Sequence, residues 1–144
     1  MKILSKSVED TETIAKNFLE KISLSVHDGA LVVGLYGDLG SGKTTFTQAA
    51  AKYFGITEDI TSPTFVIEKI YPISHAKFSN LVHIDAYRLD SAKELAALDW
   101  HRTISNSQNI IFIEWPEKVL EILPANHAKI YFKFITEGER EIEF

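Results

Sequence analysis

The segment Gly37-Asp-Leu-Gly-Ser-Gly-Lys-Thr44 restricts this chain more than any other stretch. It has the spacing Gly-x4-Gly-Lys-Thr, and it lies between an apolar run, Leu31-Val-Val-Gly-Leu-Tyr36, and a helix-forming run, Thr45 to Phe54. Strand, glycine-rich loop and helix in that order form a phosphate-binding turn. The glycines let the main chain curl with its N–H groups pointing inward. The lysine supplies a mobile positive charge, and the helix N-terminus adds its own affinity for anions. The candidate cradle comprises Asp38, Leu39, Gly40, Ser41, Gly42, Lys43, Thr44 and Thr45. The Thr44 hydroxyl is the candidate Mg2+ ligand within it.

A phosphate loop of this kind needs a carboxylate from another strand on the metal side. Two apolar runs end that way, Leu81-Val-His-Ile-Asp85 and Asn109-Ile-Ile-Phe-Ile-Glu114. The second is the more uniformly apolar, as expected for a central parallel strand covered on both faces. Glu114 is therefore the candidate metal-side carboxylate, acting through a bound water, and Asp85 is left to orient the attacking water or to take a second role around the metal. Thr64, in Ser62-Pro-Thr-Phe65, is the candidate sensor of the outer phosphate. Trp115 follows Glu114, and its size suits either the core or a contact with the nucleotide. Arg88 suits either phosphate stabilisation or the support of Asp85. His83 alternates with Asp85 on one strand face and reads as structural. No Asn-Lys-x-Asp guanine reader is present, which favours ATP.

The remaining pattern predicts an α/β fold of the P-loop type, with a small central parallel sheet, antiparallel edge strands and flanking helices. Ile3-Leu4 reads as an edge strand. Ile14, Phe18 and Ile22 recur at helical spacing over about Val8–Leu24 behind a Ser7 cap. Phe65–Tyr71 and Leu81–Tyr87 read as a hairpin with a long loop, and Ser91-Ala-Lys-Glu94 reads as a capping box. Trp115–Leu123 reads as a short helix. Lys129–Ile135 and Glu139–Phe144 read as a terminal hairpin around Gly138. The 144 residues, 45% of them hydrophobic, suit a single domain. With no cysteine, no leader-like apolar stretch and no membrane-length run, the expectation is a soluble cytoplasmic protein. A net charge of −5 without a basic block argues against strong direct binding to RNA or DNA.

In order, the phosphate loop, Ser62-Pro-Thr-Phe65, His83-Ile-Asp-Ala-Tyr-Arg-Leu89, Glu94-Leu95 and Ile113-Glu-Trp-Pro-Glu117 resemble the TsaE family, bacterial ATPases of tRNA threonylcarbamoyladenosine synthesis. The resemblance implies a weak Mg2+-dependent ATPase that acts with TsaD-like and TsaB-like partners and meets tRNA only through them. TsaD performs the threonylcarbamoyl transfer in such a system, and ATP turnover supports it. The roles carried over fall on Lys43, Thr44, Thr64, Asp85, Glu114 and Trp115. Where many members have a glycine after the Glu-Leu helix, this chain reads Ala97-Leu-Asp-Trp-His101, in a region that the resemblance makes a candidate partner surface. The alternative is a small-molecule kinase with the same loop. It would need an arginine-bearing lid, and the chain has only Arg88, Arg102 and Arg140. A module in which nucleotide merely gates binding is a third reading.

Overall fold

A computed structural model of the chain describes residues 1–61 and 67–144. The expected Ile3-Leu4 edge strand is β1 (Lys2–Ser5). The first helix, α1, runs Val8–Ile22. Ser7 caps it by accepting from the Asp10 amide at 3.0 Å, and Asp10 in turn accepts from the Lys6 amide at 2.9 Å. Its stripe of Ile14, Ala15, Phe18 and Leu19 is buried. The apolar run before the loop is β2 (Leu31–Tyr36), and the helix after it is α2 (Lys43–Tyr53). α2 ends at Gly55, where φ of 79° closes the helix in the left-handed region.

The chain continues through β3 (Glu68–Pro72), β4 (Asn80–Asp85), α3 (Ala92–Ala96), α4 (Trp100–Ser105), β5 (Asn109–Glu114), β6 (Ala128–Thr136) and β7 (Glu139–Glu143). Among the described residues, seven strands form one sheet in the order β1-β7-β6-β2-β5-β4-β3. The four central strands, β6, β2, β5 and β4, are parallel, while β3 pairs antiparallel at one side and β7 and β1 at the other. This is the expected parallel centre with antiparallel edges. Alternation along β2 splits the core into two layers. Leu31, Val33 and Leu35 pack with Phe18, Phe46 and Phe112 beneath α1 and α2. Val32 packs with Ile111, Ile113, Leu95 and Trp100 beneath α3 and α4.

One local expectation needs revision, and two others hold with an addition. Trp115–Leu123 is not one helix but two 3₁₀ turns, Pro116–Lys118 and Leu120–Ile122. Trp115 stands at φ 59°, ψ 49°, outside the right-handed helix, and Val119 at φ −136° separates the turns. The capping box opens α3 as expected, with both reciprocal bonds present, but Asp99 at φ 60° breaks the chain and a further helix, α4, begins. α4 buries only Trp100, whose indole N–H donates to Ile122 O at 3.2 Å, so it carries no apolar stripe to read. The terminal hairpin forms, and its first strand also enters the parallel centre by pairing with β2. Among the described residues, no helix is long and apolar enough to cross a membrane.

Candidate functional site at the carboxyl ends of the parallel strands

In open α/β sheets, ligands bind where the carboxyl ends of parallel strands face a helix N-terminus. Here β2, β4 and β5 end together. Leu35 and Asp85 both stand in register with Glu114. α2 starts directly opposite. Its N-cap, Gly42, has φ 109° and offers no side chain to the amides of the first turn, so those donors face the cavity uncapped. The cavity measures about 390 Å³ and is lined by Leu39, Gly40, Gly42, Lys43, Thr44, Thr45, Asp85, Tyr87, Glu114, Trp115 and Arg140. A larger groove of about 730 Å³ lies between β3 and α4, and none of these residues lines it.

Most of the predicted site residues thus share one cavity. Two loop residues sit behind it. The Asp38 carbonyl accepts from the Ser41 amide at 3.2 Å, and Ser41 is buried with its hydroxyl unpartnered among the described residues. Thr64 lies outside the described residues. Arg88 is exposed and does not line the cavity.

Lys43 is 95% hidden although it carries an ammonium group. It donates to Gly37 O, lies 3.4 Å from Asp38 O, and sits 3.8 Å above the centre of the Trp115 ring. Burial pushes its pKa down, and the nearby carboxylates Glu114, Glu117, Asp85 and Asp38 oppose that shift. The ring reaches this place because Trp115 adopts a left-handed backbone conformation that is uncommon for so large a residue. Trp115 also packs on the second core layer, so it serves as both core residue and cavity wall.

The two strand-end carboxylates differ. Glu114 is buried. Its Oε1 accepts from Thr44 Oγ1 at 3.3 Å, and its Oε2 is 2.8 Å from His83 Nε2. Asp85 is half-buried and accepts from the Tyr87 amide at 3.0 Å. Its pKa is raised, first by burial and then by the adjacent Glu114 charge, against the pull of the Tyr87 amide, His83 and Lys43. Two carboxyl groups side by side on neighbouring strands repel unless a cation lies near. A hydroxyl, a buried carboxylate and a second carboxylate form a hard oxygen set of the kind Mg2+ accepts.

Two residues at the site escaped the reading of the sequence. His83 bonds to Glu114, and its alternation with Asp85 on β4 was the available signal. Arg140 arrives from β7. Its guanidinium lies 3.5 Å from Thr45 Oγ1, and its side chain rests on Gly42, so closely that a Cβ there would come within 2.6 Å of Arg140 Cδ. Nothing in the local sequence links the two.

The sheet order and the loop define a P-loop α/β protein. Comparison with known proteins narrows this. The model of the family described as "Threonylcarbamoyl adenosine biosynthesis protein TsaE" matches residues 5–142, and the chain belongs to that family. It is 36% identical over 136 residues to the tRNA threonylcarbamoyladenosine biosynthesis protein TsaE of Bacillus subtilis, covering 94% of this chain and 79% of that one. It is 34% identical to the protein of the same name from Treponema pallidum, covering 99% and 98%. Among solved structures it resembles the crystal structure of YdiB from Bacillus subtilis, with a TM-score of 0.68 and 31% identity, over 99% of this chain and 82% of that one.

Proposed function

We propose that the chain binds ATP with Mg2+ and hydrolyses it as the accessory subunit of a TsaD–TsaB type machinery that installs threonylcarbamoyladenosine on tRNA. The observation that carries this reading is the meeting of Thr44 and Glu114 at the mouth of the phosphate loop, 3.3 Å apart. In phosphoryl transfer the protein supplies position and charge rather than covalent chemistry. The loop amides and the first turn of α2 receive the β-phosphate. Lys43 turns from Gly37 O toward the outer phosphates. Arg140 adds a second cation on the Thr45 side. Thr44 and Glu114 would hold Mg2+, which supplies neutralisation of the phosphate oxygens. Asp85, with its raised affinity for a proton and its place on the cavity wall, orients the attacking water. Thr64 is the proposed sensor of the outer phosphate.

The family's name supports the pathway, and the net charge of −5 supports an indirect contact with tRNA through partners. On this reading the protein works in the cytoplasm. The test is ATP hydrolysis with and without TsaD- and TsaB-type proteins. Lys43→Ala is expected to lose nucleotide binding or turnover while folding normally. Asp85→Ala is expected to bind ATP and not cleave it. Unchanged turnover in both variants with partners present overturns the proposal.

A further inference from the structure

His83 is wholly buried on β4 between apolar neighbours, a costly place for an imidazole. Its Nε2 lies 2.8 Å from Glu114 Oε2, and its Nδ1 has no hydrogen-bond partner among the described residues. Only one tautomer suits both facts. With the proton on Nε2 the ring donates to the carboxylate, and Nδ1 holds an unused lone pair. With the proton on Nδ1 the ring would bury an orphan donor and face Oε2 with a lone pair.

The bond divides the labour of Glu114. Oε2 is taken by His83, while Oε1 is left on the side of Thr44. His83 and Glu114 lie on the same sheet face, because His83 is in register with Phe112, two residues before Glu114. The ring is therefore fixed by strand pairing rather than by a loop. Resting on the functional reading above, we infer that His83 is a positioning residue for the metal site. By donating from Nε2 to Glu114 Oε2, it fixes the carboxylate rotamer so that Oε1 meets Thr44 and whatever cation the pair holds. Metal-ligating groups depend on such outer partners, whose loss lowers metal affinity about 10- to 100-fold. His83 does not line the cavity, so its removal is expected to leave the metal-free nucleotide site intact.

The experiment compares ATP affinity in excess EDTA with ATP affinity in excess Mg2+ for the wild type, His83→Phe and His83→Gln. In the wild type, Mg2+ tightens ATP binding. In His83→Phe that enhancement falls by about 10-fold or more, while affinity in EDTA stays within about twofold. His83→Gln, whose amide N–H reaches toward the same oxygen, recovers most of the enhancement. An undiminished enhancement in His83→Phe, or an equal loss in EDTA and in Mg2+, overturns the inference. Failure of the wild type to bind ATP at all overturns the functional reading instead. A second measurement needs no variant. Long-range proton–nitrogen NMR of wild-type His83 is expected to show the Nε2–H tautomer, and an Nδ1–H tautomer overturns the inference.

Discussion

Replacing Glu114 with glutamine separates what the carboxylate does for the fold from its proposed role toward the metal. The amide is isosteric and can keep both contacts, its oxygen accepting from His83 and its NH2 donating to Thr44 Oγ1. What is lost is charge. Glu114 and Asp85 are in register on adjacent strands, which lie roughly 5 Å apart. At an effective dielectric near 20, two unit charges at that spacing repel by about 3 kcal/mol. Asp85 is half-exposed, so screening reduces this to about 1.5 kcal/mol. Against that relief stands the loss of charge assistance in the bond from His83, about 1 kcal/mol. The two nearly cancel, and the apo variant is expected within about 1 kcal/mol of wild type. The metal side does not cancel, because an amide N–H now points at Thr44. With MgATP at 100 times its Kd, the wild type gains about 2.7 kcal/mol, whereas a 100-fold weaker variant gains about 0.4 kcal/mol. For a domain of this size those gains are about 9 °C and about 1 °C in Tm. Thermal unfolding in EDTA, in ATP with EDTA, and in MgATP reads all three. An apo loss beyond about 3 kcal/mol would mark Glu114 as a structural ion, and a full MgATP shift in the variant would remove it from the metal site.

Asp85→Asn is expected to raise the apo Tm at pH 7. The folded pKa of Asp85 lies above its unfolded value, so the native carboxyl binds protons more readily and loses stability as pH rises from about 4 through the raised value; the gain should vanish below pH 4 in a pH series of melts. Gly42→Ala and Gly40→Ala both place a Cβ at positive φ, at about 1–2 kcal/mol each. Only the first strikes Arg140, since nothing lies within 4 Å at Gly40. The atoms met are the movable end of the Arg140 side chain, so denaturant melts should show the two variants within about 1 kcal/mol of each other; a Gly42→Ala cost larger by more than about 2 kcal/mol would mark Arg140 as held in place. Phe46→Ala, at a fully buried ring that contacts Phe18, Phe112 and Phe132, should cost about 3–5 kcal/mol by the same assay, and a loss under 1 kcal/mol would contradict the packing of α2 on the sheet.

The elements that read clearly are those whose signal is local. The apolar run Leu31–Tyr36 followed by glycines, the all-buried β5, and the Ser7 and Ser91 caps each declare themselves within a few residues. The meeting of Thr44 with Glu114 was legible for the same reason, because each ends or begins such an element. What did not read depends on pairings made at a distance. Nothing near Ala128–Thr136 says that this strand lies beside β2 as well as β7. His83 reads as core until parallel register brings Glu114, 31 residues on, within 2.8 Å. Arg140 reaches Thr45 across 95 residues. Backbone exceptions were equally silent. Asp99 stands at φ 60° and opens α4, with no glycine there to announce the turn.

The lysine of the phosphate loop has a consequence for measured affinity. Its ammonium already lies against two main-chain carbonyls and one indole face. On the proposed function, an incoming triphosphate would meet a rival made of the protein itself, and its dissociation constant would report an exchange rather than a simple capture. Shortening the rival, by taking away the indole, would leave the ammonium less content in the empty state, and the same phosphates would then bind more tightly.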